Sequence, residues 1–177
     1  MASLYDMSVP IYTQALKNTL AFLKKGEAWC KDNGHPVEKL LEGKLAEDMK
    51  PLPFQICTIS NTAKLTCVRI AGTENDPWED NETTFEQLYE RITKTIKFLE
   101  KVKPEDFAGK EQSQVVMKTG VGDFKFTGLS YLQSFALPNF FFHEMAAYAI
   151  LRNQGVPIGK FDYLGSAGQD AEKVQTS

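Results

Sequence analysis

The sequence predicts an all-α domain: a four-helix bundle with a small β-hairpin inserted before the last helical segments. Three observations carry that prediction. Four long segments place apolar residues at three- and four-residue spacing, the period of one helix face. Proline and threonine signals open these segments, and glycine closes most of them. The only stretch that reads with period two, near residues 112–126, is too short to make a core of its own.

The first helix starts near Val9, because Ser8 precedes Pro10 and proline is favoured in a first helical turn, where its missing N–H has no partner to lose. Tyr12, Leu16, Leu20 and Leu23 form its stripe, and Asp32-Asn33-Gly34 stops it. A shorter segment, Pro36 to Glu42, leads into the proline-punctuated Asp48 to Pro53. From there Ile56, Ile59, Ala63, Cys67 and Ile70 mark a second helix that ends at Gly72. An acidic loop follows. It closes on Thr83-Thr84-Phe85-Glu86-Gln87, where either threonine satisfies the S/T-x-x-E/Q capping box. Phe85, Leu88, Ile92, Ile96, Leu99 and Val102 then carry the third helix towards Pro104.

Gln114 to Lys118 and Asp123 to Phe126, flanking Thr119-Gly120-Val121-Gly122, predict the hairpin. A helical run from Leu129 to Leu137 meets Pro138, which predicts a kink or a fresh start. The last helix, to Asn153, is apolar nearly all round and is therefore expected to be the most buried element. Residues 1–165 read as one domain and 166–177, small and polar, as a disordered tail.

With 20 Lys+Arg against 23 Asp+Glu and no basic stripe, the chain is not expected to bind nucleic acid. Asp6 and the lack of a basic n-region predict no secretory signal. Pro138, Asn139, His143 and Glu144 interrupt the most apolar stretch, short of the roughly 20 residues a bilayer span needs. Cys30, Cys57 and Cys67 form no C-x-x-C pair and read as buried reduced thiols. A cytoplasmic protein without membrane partners is the expectation.

His143 is the sharpest chemical candidate. Its helical neighbours are Asn139, Phe140, Ala146, Ala147 and Ile150, so its ring should face inward, carry a lowered pKa and need a partner for its ring N–H. A core histidine and a pocket acid/base both fit that description. Glu144, also among apolar neighbours, must find a cation or become harder to ionise, and a structural ion pair is the expected outcome. Gln55 shares a face with Leu52, Ile59 and Thr62 and should point inward. With Asp48 upstream and Asn139 on the last helix it could form the converging polar groups of a ligand site, or serve as caps and interhelical bonds. With two histidines in the chain, a three-histidine metal site is impossible, and neither metal nor cofactor is expected.

Leu4-Tyr5-Asp6-Met7-Ser8-Val9-Pro10, Leu45 to Leu52, Asp80 to Phe85 and above all Phe135 to Lys160 (FALPNFFFHEMAAYAILRNQGVPIGK) resemble a domain-of-unknown-function family of fungi and bacteria, over about residues 3–165. That family is similar in fold to the DinB/YfiT-like superfamily. The resemblance implies a DinB-like bundle with a pocket near His143. It also implies comparison with members that hold a divalent metal on three histidines, some of them thiol-dependent transferases or isomerases. This chain departs from that pattern, since Ala147 stands one turn after His143 and Gln55 stands roughly where a further histidine would come. The resulting expectation is a metal-independent bundle that binds a small organic molecule through His143, Gln55, Asp48, Asn139 and Glu144. His143 would be the acid/base of an isomerisation, cyclisation or dehydration. A non-catalytic homodimer acting as a stress-related or interaction module, and a metal-dependent thiol transferase, remain open beside it.

Overall fold

The computed structural model describes residues 3–165; the expected disorder of 166–177 concerns residues outside that range. Helix α1 (Val9–Asp32) begins after Ser8 with Pro10 in its first turn. The Ser8 hydroxyl does not cap it. It donates backward to the Leu4 carbonyl at 2.6 Å, tying down the entry turn. A single-turn α2 (Glu38–Leu41) precedes α3 (Leu52–Thr66), which is prolonged by a π turn over Cys67–Ala71 and ends at Gly72, a left-handed residue at φ 77° that needs glycine.

Helix α4 (Phe85–Leu99) chooses between the two possible capping boxes. Thr84 is the N-cap, and the Gln87 carbonyl oxygen accepts from both the Thr83 and the Thr84 N–H at 2.7 and 3.1 Å. Strands β1 (Gln114–Thr119) and β2 (Gly122–Thr127) pair antiparallel in the register Val115↔Phe126 and Met117↔Phe124. β1 buries Val115 and Met117 in the core, and from β2 Phe126 packs edge-on against Tyr131 while Phe124 stays 46% exposed, so the hairpin is an appendage held by one face.

Helix α5 (Gly128–Tyr131) runs through a π turn (Leu132–Ala136) directly into α6 (Leu137–Asn153). Ala136 keeps helical angles (φ −65°, ψ −50°), so Pro138 makes no break. The wider i→i+5 turn immediately before it is the device that lets a proline ring enter a continuing helix. A last short helix, α7 (Lys160–Leu164), lies on α1.

The bundle consists of α1, α3, α4 and α6, with α3 packed against α4 and α6, and α1 against the same two. Tyr12, Phe22, Tyr131 and Phe140 fill its centre, and the Tyr12 hydroxyl meets Thr66 Oγ1 at 3.3 Å across the diagonal from α1 to α3. The expectation that α6 would be the most buried element is corrected here. It buries Phe140, Ala147, Ile150 and Leu151, but leaves Phe141, Phe142 and Met145 at 37, 59 and 49% exposure. A corner helix of a four-helix bundle has neighbours on two sides only, so an all-round apolar sequence must leave one flank in water. None of the helices among the described residues is long and apolar enough to cross a membrane.

Candidate functional site

The seam between α3 and α6 holds the residues that best combine polarity with access. Gln55, in the second turn of α3, is 2% exposed. Its amide N–H donates to the Lys50 carbonyl at 2.7 Å, which turns its oxygen towards α6, where it meets His143 Nδ1 at 2.7 Å. The chain of bonds assigns the tautomer: a carbonyl oxygen can only accept, so Nδ1 carries the hydrogen and Nε2 keeps its lone pair. The ring is half-buried, and burial pushes its pKa below the ordinary histidine value, so the neutral imidazole is favoured.

Nε2 has no hydrogen bond to a described residue. It is also not sealed: the buried side-chain atoms lacking a partner are Thr73 Oγ1 and Glu144 Oε2 among the described residues. Two exposed aromatic rings flank the imidazole edge-on, Phe54 at 5.9 Å and Phe142 at 5.1 Å between centroids. One turn before His143, the Asn139 amide donates to Thr62 Oγ1 at 2.9 Å, a second polar clasp along the same seam.

The remaining two candidates lie elsewhere. Asp48 is exposed in the loop before α3. Glu144, rotated about 100° from His143 by the helix, faces α1 rather than α3. It is 1% exposed, and the expected ion pair is not there. Thr19 Oγ1 donates to its Oε1 at 3.3 Å, and no cation faces it among the described residues. Burial therefore pushes its pKa up to about 7, tempered by the Tyr163 and Thr19 hydroxyls. The nearest helical cation, Arg152, is exposed two turns along the helix. His143 and Glu144, neighbours in sequence, thus belong to different faces of α6.

The three-histidine metal centre implied by the superfamily does not fit these residues. His143 Nδ1 is committed to Gln55, the Gln55 amide to Lys50, and Ala147 has no donor atom, which leaves one free imidazole nitrogen. Another donor cluster, Cys57, Asp80 and Glu82, has ligand atoms within 4.8 Å of one another. A cation already serves it. The Arg91 guanidinium, 3% exposed, donates to Asp80 Oδ1 at 2.7 Å and to Glu82 Oε1 at 2.6 Å. Its other three N–H groups reach Ser60 Oγ, Asn61 Oδ1 and the Glu79 carbonyl, so all five donors are used.

The Cys57 thiol donates to the other oxygen of Glu82 at 3.0 Å. Burial and that carboxylate push the thiol up to about 12. Burial alone would raise Glu82, yet the Cys57 and Arg91 hydrogen bonds hold it below the usual carboxylate range. Cys30 and Cys67 are buried and free as well, and burial pushes Cys67 up to about 12. None of the three has the lowered pKa that makes a nucleophile.

Sequence reasoning missed Arg91. Its signal was present: Leu88, Arg91, Ile92 and Thr95 share one helical face, so an arginine there had to be buried and paired with acids from the loop before it.

The fold is that of the DinB/YfiT-like bundles. The chain is similar to a crystal structure of a DinB family member protein from Shewanella denitrificans, at 33% identity and a TM-score of 0.87, with 98% of this chain and 96% of that one aligned. No curated protein matches it. The model of a family described as Domain of unknown function (DUF1993) matches residues 4–164, and the chain belongs to that family.

Proposed function

We propose that the protein binds a small organic molecule against the α3–α6 seam, without a resident metal, and that His143 Nε2 takes up or returns a proton there. The observation that carries this reading is the Gln55-held tautomer: a neutral imidazole whose only free nitrogen is a base, presented between two exposed aromatic rings. Such an arrangement suits an isomerisation, cyclisation or dehydration that asks for one proton transfer and a stacking surface. Asn139 and Thr62 continue the polar edge of the seam, and Asp48 lies in the loop that leads into α3.

Nitrogen-detected NMR of the imidazole should report a single Nδ1–H tautomer in the wild type and a mixture in Gln55→Leu. A ligand found by saturation-transfer screening of metabolites should lose binding in His143→Phe, a substitution that keeps the ring volume. Retention of that ligand by His143→Phe, or stoichiometric zinc, nickel or manganese in the purified protein, would sink the proposal.

A second reading has its own observation. Phe141, Phe142 and Met145 form an exposed apolar stripe on α6, which favours a non-catalytic homodimer. In that case the wild type sediments as a dimer and Phe142→Asp as a monomer of equal thermal stability; a monomeric wild type at tens of micromolar removes the reading.

A further inference from the structure

On the opposite side of α6 from His143, a groove of about 360 Å³ runs between α1, α6 and α7. Its walls are mostly apolar, with Pro10, Ile11 and Ala15 from α1, Phe141 from α6 and Leu164 from α7, and the neutral polar side chains of Gln14, Asn18 and Tyr163 complete them. At its floor is Glu144, whose Oε1 is held by Thr19 and whose Oε2 is buried with no partner among the described residues. Orphaned carboxylate oxygens are rare in folded proteins, because leaving a charged acceptor unpaired away from water is costly. Here the orphan lies at the end of an apolar trough.

We propose that this groove is a binding site for an apolar organic ammonium ion, whose carbon chain lies along Ile11 and Phe141 and whose N–H meets Glu144 Oε2. A cation rather than an alcohol is chosen because, among the described residues, the groove is lined by one acid and no cation, and a charged hydrogen bond in a low-dielectric setting is the stronger one. Among the described residues the Tyr163 phenol is the one titratable neighbour acting on Glu144, and it makes no hydrogen bond to Oε2. Helix α7 buries none of its own residues and is tied down by the Asn18 amide donating to the Tyr163 carbonyl at 3.1 Å and by the exposed Lys25–Asp162 pair.

Titration calorimetry of the full-length protein at pH 8 with n-hexylamine, a cation at that pH, tests the site against n-hexanol of the same chain length. Hexylamine should bind at least about tenfold more tightly than hexanol, and Glu144→Gln, which preserves shape, should erase the difference. Ile11→Asp, at the rim, should weaken both ligands while the protein stays folded. Equal binding of amine and alcohol, or unchanged amine binding in Glu144→Gln, overturns the proposal. So does a rise in amine affinity in Lys173→Ala, because the chain's own C-terminal lysine would then be the occupant.

Discussion

Arg91→Leu is expected to lower the unfolding free energy by about 3–5 kcal/mol, the range for removing one partner of a buried ion pair. The side chain is a cross-brace. One guanidinium joins Ser60 and Asn61 on α3 to Glu79, Asp80 and Glu82 in the loop that leads into α4. That loop has little apolar anchorage of its own: Trp78 is held on the surface by the Lys64 and Lys94 ammonium groups, each 4.4 Å from its ring, and by Arg91 at 5.3 Å. Leucine would fill the volume but leave Glu82, 11% exposed, unpaired beside a thiol that can give only one hydrogen bond.

The two acids should not behave alike. Asp80 is 51% exposed, so Asp80→Asn should cost under about 1 kcal/mol, while Glu82→Gln should cost more. Arg91→Lys should recover only part of the loss, since an ammonium has three donors for five acceptors. Urea denaturation of the four variants checks this. A loss below about 1 kcal/mol in Arg91→Leu would show that the network is no more than a surface ornament.

What the sequence makes legible follows from how sharply a face is written. On α4 the apolar stripe is narrow, so its start at Phe85 and its buried face can be read directly, while two adjacent threonines leave the choice of cap to the structure. The α6 sequence is apolar on every side, and periodicity cannot then say which side meets water. That is why the sequence predicts a fully buried α6 although Phe141, Phe142 and Met145 lie exposed, and why it predicts a salt bridge for Glu144, the one acid of that helix. Gln55 and His143 each read as inward-pointing polar residues, but their meeting depends on the vertical offset of α3 against α6, for which the sequence has no mark. The two π turns were likewise invisible, because an i→i+5 turn leaves no compositional signature; Pro138 signalled stress in the helix without saying how the backbone would absorb it.

Glu144 should make the protein less stable as pH rises, opposite to the usual carboxylate. An ordinary paired acid has a lowered pKa in the folded state and stabilises at neutral pH. Here burial raises the folded-state value from 4.5 to about 7, so between those values the folded chain binds more protons than the unfolded one. The stability associated with the protonated carboxyl is complete below about pH 4.5 and is lost as pH climbs through 7, a swing of about 3 kcal/mol, after which the curve flattens. Glu144→Gln keeps the Thr19 contact and the shape but cannot ionise. Its unfolding free energy should therefore match the wild type below about pH 4.5 and exceed it by up to about 3 kcal/mol at pH 8, with no slope of its own between. Parallel stability curves for the two proteins from pH 5 to 8 would mean that Oε2 is compensated in solution. Glu144 is the one acid lining the groove between α1, α6 and α7 among the described residues, and adding hexylamine at pH 8 should then return to the wild type, and not to Glu144→Gln, part of the stability that ionisation removes.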